Sequence, residues 1–469
     1  MRRNTRRGRK EGAAEGIDSL LLGAANARSR AIGFHKPNIP APSADAGEEL
    51  VTYDGDAHLV TVAPTRSGKG TGVIIPNLLS YRGPVVVFDP KGENYLVTAR
   101  YRREMGQQVI KLDPFGVIDS DSDALNPLDV FDLDRADLES DAQSLAELIS
   151  RGITGLKEPF WDLHGSGLHS ALIAHAATKK KPDERNLCAV IDGILADDVV
   201  HSLAVLLDTA GKSMNRMAYR EIAAFLQMPD ITRGGVLATA VSYIKAFVSP
   251  TVSRVFDKST FDLKDVVEGK PLSIYLIIPP DRLHSHRAIL KLWVGTLLKA
   301  VLSRRHRPQL RTLFLLDEAA QLETFPLLET MITLCGGYGT WVWTFWQDLD
   351  QIQKCYPNSW KTILNNCGSV QTFGFYNRDM ATQWSSYLDT GVHQLRSLRP
   401  EEQMLAIHHQ GEHRCRRLNY LQDEMFAGRF DPNRFYTQTP AAQPKADPGT
   451  HSSSLNDETP RPQQPSMPA

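Results

Sequence analysis

Residues 63–72 (APTRSGKGTG) have the composition and order of a phosphate-binding loop. They follow an apolar run that is typical of a buried strand, and an apolar stretch that favours a helix comes next. Small residues allow backbone N–H groups to turn towards a phosphate, and a lysine can reach the β and γ phosphate oxygens. We therefore expect this loop to bind ATP, with Lys69 also acting in catalysis. The expected nucleotide-binding residues are Pro64, Thr65, Arg66, Ser67, Gly68, Lys69, Gly70 and Thr71.

Two positions of the loop depart from the general pattern GxxxxGK[ST]. Ala63 stands at the first glycine position, and Gly70 stands where a serine or threonine would supply a hydroxyl ligand to Mg²⁺. Thr71 follows one place later and is the remaining hydroxyl candidate for the metal. Taken alone, the loop is also compatible with a glycine-rich turn that contains an incidental lysine.

An acid pair, Asp317 and Glu318, ends a second apolar run at residues 313–316. Ligands of open α/β sheets bind at the carboxyl ends of strands, which is also where the phosphate loop is expected. We expect Asp317 to hold Mg²⁺ through water and Glu318 to take the proton from the attacking water. The alternative is that the two acids only stabilise the N-terminus of a following helix.

Gln347 comes directly after another apolar run, at the end of a predicted strand. A side-chain amide at this place is suited to sensing the γ-phosphate, although a solvated strand end is an equal alternative. Such sites also use a cation, often an arginine from a neighbouring subunit, to neutralise charge on the γ-phosphoryl group. The sequence offers Arg66, Arg82 and Arg378 and does not choose among them.

Continuous apolar runs that suit strands covered on both faces indicate an α/β fold with a mainly parallel sheet. Residues 131–261 show helical patterns instead, which predicts an all-α domain inserted into a sheet domain made of residues 51–130 and 262–438. The runs predict strands at residues 58–63, 84–89, 108–113, 272–278, 312–317, 340–345 and 369–375.

The two ends of the chain have a different composition from its centre. Residues 1–50 are rich in arginine and small residues and predict a basic flexible arm, whereas residues 439–469 are Pro-rich and predict a disordered tail. The formal net charge is -1, so any surface for nucleic acid must be local or assembled from several subunits. The five scattered cysteines do not indicate a zinc site or a disulfide framework.

Several motifs in a fixed order resemble the TraG-type coupling proteins of type IV secretion and conjugation. The most specific is the phosphate loop followed by GPVVVFDPKGENY at 83–95, in a family where glycine after the loop lysine is common. The other matching segments are EPFW at 158–161, IYLIIPPDRL at 274–283, LLDEAAQL at 315–322, GYGTWVWTFWQDLDQI at 337–352 and ILNNCGSVQTFG at 363–374.

The resemblance implies a RecA-like P-loop NTPase with an inserted all-α domain, working as a homo-hexamer. It implies an ATP- and Mg²⁺-dependent motor that binds single-stranded or duplex DNA and receives a relaxase from the relaxosome. The motor would deliver its cargo to the secretion channel, with its ATPases and inner-membrane components. Lys69, Asp317, Glu318 and Gln347 keep the roles given above, and Asp89 and Lys91 either support the site, face the channel or stabilise a turn.

The chain also departs from this family, whose typical members begin with two membrane-spanning helices. No run here reaches the about 18–20 apolar residues that a membrane helix needs. We therefore expect a cytoplasmic protein that is peripheral at the bacterial inner membrane through partners. The alternatives are another ring DNA translocase of the FtsK/HerA type and a non-catalytic adaptor that recruits the relaxosome.

Overall fold

One large sheet forms the centre of the fold. The computed structural model describes residues 16–26, 48–150 and 159–434, and within these ranges eleven strands form a sheet of order β2-β1-β11-β10-β9-β3-β8-β7-β4-β6-β5. The strands are β1 (Leu20–Asn26), β2 (Glu48–Tyr53), β3 (His58–Val62), β4 (Val85–Phe88), β5 (Gln108–Leu112), β6 (Leu272–Leu276), β7 (Thr312–Leu316), β8 (Thr340–Trp346), β9 (Cys367–Thr372), β10 (Glu402–Ile407) and β11 (Gly411–Arg416).

The part of the sheet from β9 to β5 is parallel throughout. Strands β3, β4, β6, β7 and β8 are buried along their whole length, because their apolar side chains are covered on both faces. The predicted α/β class with a mainly parallel sheet is therefore confirmed. Each strand of this part starts and ends within three residues of its prediction.

Helices cover the sheet and fill the long interval between β5 and β6, where the described residues contain no strand. The division into a sheet domain and an inserted all-α domain stays a prediction.

None of the helices in the described ranges has the length and apolar character to cross a bilayer. The α-helices are α1 (Ile75–Leu78), α2 (Glu93–Glu104), α3 (Leu138–Ser150), α4 (Pro159–Ala177), α5 (Leu187–Ile194), α6 (Val199–Ala210), α7 (Arg216–Leu226), α8 (Asp230–Ile244), α9 (Pro250–Ser253), α10 (Leu263–Glu268), α11 (Pro280–Leu302), α12 (Pro326–Leu334), α13 (Leu349–Cys355), α14 (Trp360–Asn365), α15 (Arg378–Tyr387) and α16 (Val392–Arg396).

Beyond β9 the sheet continues with antiparallel strands that the sequence did not predict. The prediction of a flexible arm at 1–50 is wrong for β1, which pairs with β11 and β2 and buries Leu20 and Leu22. The side chain of Asn77 on α1 fixes this strand through hydrogen bonds to the backbone N–H and C=O of Leu21, both at 2.8 Å. Residues 1–15 and 27–47 of the arm, and the predicted tail at 439–469, lie outside the described residues.

Candidate nucleotide-binding site

The loop after β3 is a tight turn with two residues of positive φ. Arg66 has φ 63° and Gly68 has φ 94°. Ser67 closes the turn, because its N–H and its hydroxyl both donate to the Pro64 carbonyl oxygen, at 3.3 and 2.5 Å. The Gly72 N–H then donates to the Gly68 carbonyl at 2.9 Å, where the helical turns begin. The result is the strand, loop and helix order of an anion-binding loop.

The two positions that could carry a metal-binding hydroxyl differ in their surroundings. A Cβ atom added at Gly70 would meet no other atom within 4 Å, so glycine is not demanded there by packing. The Thr71 hydroxyl lies 3.4 Å from the Gly68 carbonyl oxygen, a long contact that holds it weakly. Thr71 therefore remains free to turn towards a ligand.

Lys69 is buried beneath the loop and connects it to the acid pair. Its Nζ donates to the Ala63 carbonyl oxygen at 2.7 Å and lies 3.9 Å from Glu318 Oε1. Burial lowers the pKa of Lys69, and the nearby carboxylates of Glu318, Asp317 and Asp348 oppose this shift. The ammonium group therefore lies between the phosphate loop and the end of β7.

The acid pair at the end of β7 is crowded with negative charge. Burial raises the pKa of Asp317 to about 7, and the neighbouring Glu318 and Asp89 add to the rise, while Lys69 opposes it. Glu318 has φ 64°, a left-handed conformation that is unfavourable for a glutamate and is found mainly at functional sites. This unfavourable backbone conformation occurs where the Glu318 carboxylate faces Lys69 of the phosphate loop.

Gln347 joins this group from β8, the strand between β3 and β7. Its Nε2 donates to Glu318 Oε2 at 3.0 Å, and its backbone N–H donates to Gln351 Oε1 at 2.9 Å. Gln347 is therefore held on the carboxylate and is not a freely solvated strand end. The structure brings together three residues that are far apart in the sequence: Lys69, Glu318 and Gln347.

The donor set fits Mg²⁺ bound together with a nucleotide. The described residues hold no group of three or more His, Cys, Asp or Glu side chains able to bind a metal by themselves. Mg²⁺ commonly takes only one or two carboxylates and completes its shell with water and substrate phosphates. Burial first, and then the neighbouring Glu318 and Asp89, raise the pKa of Asp317, and a divalent cation bound there would favour its ionised form.

Asp89 lies beside the site and has a structural task. Its Oδ2 accepts the Tyr95 N–H at 2.8 Å at the start of α2, so it stabilises the turn after β4. Burial raises its pKa to about 7. Lys91 is exposed and lies 3.8 Å from Glu93.

The three candidate arginines occupy different surroundings. Arg66 and Arg378 are exposed, the first within the loop and the second at the start of α15. Arg82 precedes the amino end of β4, whereas the phosphate loop follows the carboxyl end of β3, and it pairs with Asp18 at 2.7 Å.

The segment that follows β11 packs on the phosphate loop, and the sequence analysis did not predict this contact. Arg417 Nη1 donates to the Ser67 carbonyl oxygen at 2.5 Å, and its guanidinium lies 4.2 Å from the centre of the Phe373 ring. The Tyr420 N–H donates to the Thr71 carbonyl oxygen at 3.2 Å. The signal that was available is the pair of short strands around the HHQG turn at 408–411, which forms the β10–β11 hairpin leading to Arg417.

Curated relatives match most of this chain. It is 29% identical over 342 residues to the conjugal transfer protein TraG of Escherichia coli, covering 69% of this chain and 53% of that protein. It is 24% identical over 434 residues to the type IV secretion system-coupling protein VirD4 of Bartonella quintana, covering 83% of this chain and 67% of that protein. Against the TraG relatives, the chain spans about half of their length.

Solved structures of plasmid coupling protein TrwB share the fold. The complex of TrwB with ADP and Mg²⁺ has a TM-score of 0.63 at 14% identity, covering 87% of this chain and 96% of that chain. The likeness confirms the predicted RecA-like P-loop NTPase fold. The sequence profile described as Type IV secretory system Conjugative DNA transfer matches residues 22–390. The chain therefore belongs to the type IV secretion family of conjugative DNA transfer proteins, as its resemblance to TraG-type coupling proteins implied.

Proposed function

We propose that this protein is an ATP-hydrolysing coupling motor that delivers DNA, or a relaxase bound to DNA, to a type IV secretion channel. The observation that carries the proposal is the meeting of Lys69, Glu318 and Gln347 at the carboxyl ends of neighbouring strands, with contacts of 3.9 and 3.0 Å to Glu318. An NTP hydrolase needs a loop that binds the phosphates and a residue that positions or activates the attacking water. The shared family with TraG and VirD4 supports conjugative transfer as the use of that energy.

The nucleotide would lie on the loop, residues 64–71, with Lys69 directed to the β and γ phosphates. Structures of TrwB in complex with ADP and Mg²⁺ and with a non-hydrolysable ATP analogue support this ligand. Asp317, through water, and the Thr71 hydroxyl would hold Mg²⁺. The ion, when bound, neutralises charge on the phosphate oxygens.

Hydrolysis requires a base that faces the water in line with the γ-phosphate. Glu318 would act as this base, and its contacts with Lys69 and Gln347 support the assignment. Gln347 keeps the carboxylate oriented through its amide N–H and would respond when the γ-phosphate is lost. Glu318 therefore accepts the proton of the attacking water, and Gln347 orients the Glu318 carboxylate.

The assembled motor would be a homo-hexamer at the bacterial inner membrane. An arginine from the neighbouring subunit, with Arg66, Arg82 and Arg378 as candidates, would complete each site. DNA would bind in the central channel, where several subunits add their local basic charge. The relaxosome, the channel ATPases and inner-membrane components are the expected partners on either side.

The test is the ATPase rate of the purified chain with and without single-stranded and duplex DNA, together with capture of a relaxase. A coupling motor shows DNA-stimulated turnover and relaxase binding, and Lys69→Ala abolishes the turnover. DNA-stimulated turnover without relaxase binding favours a translocase of the FtsK/HerA type. Relaxase binding with no turnover above the Lys69→Ala background favours a non-catalytic adaptor and contradicts the proposal.

A further inference from the structure

An exposed aromatic side chain lies on the side of the phosphate loop that faces away from the acid pair. Tyr376 is 69% exposed and follows β9. Strand β9 neighbours β3 on one side, whereas β8, with Gln347 at its end, neighbours β3 on the other. Tyr376 therefore belongs to the flank of the loop opposite the hydrolytic residues.

The chain at Gly374 brings Tyr376 close to the loop. A Cβ atom placed on Gly374 would lie 3.0 Å from Ser67 Cβ, 3.2 Å from Pro64 Cδ and 3.5 Å from Tyr376 Cζ. The Tyr376 N–H donates to the Gly374 carbonyl oxygen at 2.9 Å, which turns the chain sharply at this point. The phenol ring and the phosphate loop are thus neighbours across a single glycine.

Arg417 holds this flank in place. Its guanidinium lies over the Phe373 ring at 4.2 Å and donates to the Ser67 carbonyl oxygen at 2.5 Å. It joins the end of β9 to the loop, while the Tyr420 N–H bonded to Thr71 ties the following segment to the same loop. Because these contacts fix the backbone around Tyr376, less of this segment has to be ordered when the ring binds a ligand.

We propose that Tyr376 stacks on the purine base of the nucleotide whose phosphates lie on the loop. The inference rests on the proposed function. The phosphate end of the ligand is directed to Lys69 and Glu318, so the base must extend to another side of the loop, and the Tyr376 flank offers a flat apolar face there. Stacking on a phenol ring does not read the edge of a base, so the subsite accepts adenine and guanine alike.

The test compares ligands with and without a base. Dissociation constants for ATP, GTP and inorganic tripolyphosphate are measured by calorimetry on the full chain. The variants are Tyr376→Ala, Tyr376→Phe and, as a control, Tyr219→Ala, which removes another exposed tyrosine, on α7. Tyr376→Ala is expected to weaken ATP and GTP about tenfold and to leave tripolyphosphate unchanged. The dissociation constants of Tyr376→Phe and Tyr219→Ala are expected to stay within about twofold of the wild type, because both variants keep an aromatic ring at position 376.

The outcomes separate this subsite from the wider function. Retention of wild-type ATP affinity by Tyr376→Ala overturns the subsite and leaves the proposed function intact. An equal loss for ATP and tripolyphosphate also overturns it, since the substitution would then act on the loop. A wild-type chain that binds neither ATP nor tripolyphosphate overturns both proposals.

Discussion

Glu318 accepts a hydrogen bond from Gln347, with Oε2 and Nε2 3.0 Å apart. The bond crosses from the end of β7 to the end of β8, which pair in parallel with Leu316 opposite Thr344. The other carboxylate oxygen, Oε1, lies 3.9 Å from Lys69 Nζ. The orientation of Glu318 is thus set by residues from two other parts of the sheet.

Gln347→Ala should lower the turnover number about 10- to 100-fold and leave the dissociation constant for ATP nearly unchanged. The amide donates to the carboxylate of the proposed base, so its loss should affect the transition state more than nucleotide binding. The check is steady-state ATPase kinetics beside a binding isotherm. Gln383→Ala, which removes an exposed amide on α15, is the control. Parallel losses of affinity and turnover would contradict this role.

Gly68→Ala and Gly70→Ala should differ in their effect on the free energy of unfolding. Gly68 has φ 94°, and a Cβ there would lie 2.7 Å from Arg417 Nη1, so we expect a loss of about 1–2 kcal/mol. A Cβ at Gly70 meets no atom within 4 Å, and the change should stay within about 0.5 kcal/mol. Urea unfolding without nucleotide measures both. Equal destabilisation by the two variants would contradict the loop geometry.

Asp317→Asn should stabilise the nucleotide-free protein at alkaline pH. The pKa of Asp317 is raised to about 7 from an ordinary value of 3.8, so the unfolded chain gives up this proton first as pH rises. The folded state therefore loses stability between about pH 4 and pH 7, and the amide removes that loss. We expect a gain on the order of 1–3 kcal/mol at pH 8 and none near pH 4.

Unfolding curves of wild type and Asp317→Asn across this pH range, without Mg²⁺ or nucleotide, provide the measurement. Asp197→Asn removes an exposed acid and serves as the control. A difference between wild type and Asp317→Asn that does not depend on pH would show that the carboxyl is not strained by burial.

Asn77→Ala should lower the free energy of unfolding by about 2–4 kcal/mol. The buried amide makes three hydrogen bonds of 2.8 Å, to the Leu21 N–H, the Leu21 carbonyl and the Val73 carbonyl. Its loss removes these bonds from the buried backbone groups of Leu21 in β1 and of Val73 in the turn before α1. Asn366→Ala removes one exposed hydrogen bond to Thr362 and should cost under about 0.5 kcal/mol. A similar small cost for Asn77→Ala would contradict the docking of β1.

The parallel core was predictable because its strands carry an uninterrupted apolar signal. Residues 312–316 and 340–346 do not alternate between apolar and polar positions, which favours buried strands. Asp317 and Glu318 follow the first run and Gln347 follows the second, and these polar residues mark the end of the sheet where the candidate site lies. The contact between Glu318 and Gln347 was not predictable. It depends on the strand order, which places β8 directly between β3 and β7.

The antiparallel part was missed because its signals are short and mixed. Strand β1 is a run of leucine and small residues between polar, arginine-rich stretches, and composition over a longer window conceals it. Strand β11 (GEHRCR) has almost no apolar residues, because it is half exposed and makes its contribution through backbone pairing. Arg417 follows this strand, and nothing in its neighbourhood in the sequence indicates a contact with Ser67.

We propose Glu318 as the base of an ATP-hydrolysing site, on its contacts with Lys69 and Gln347. The most direct measurement is single-turnover hydrolysis of ATP by wild type and Glu318→Gln, with ATP affinity determined on the same preparations. We expect Glu318→Gln to bind ATP as the wild type does and to hydrolyse it at least about 100-fold more slowly. Hydrolysis by Glu318→Gln at the wild-type rate would contradict this proposal.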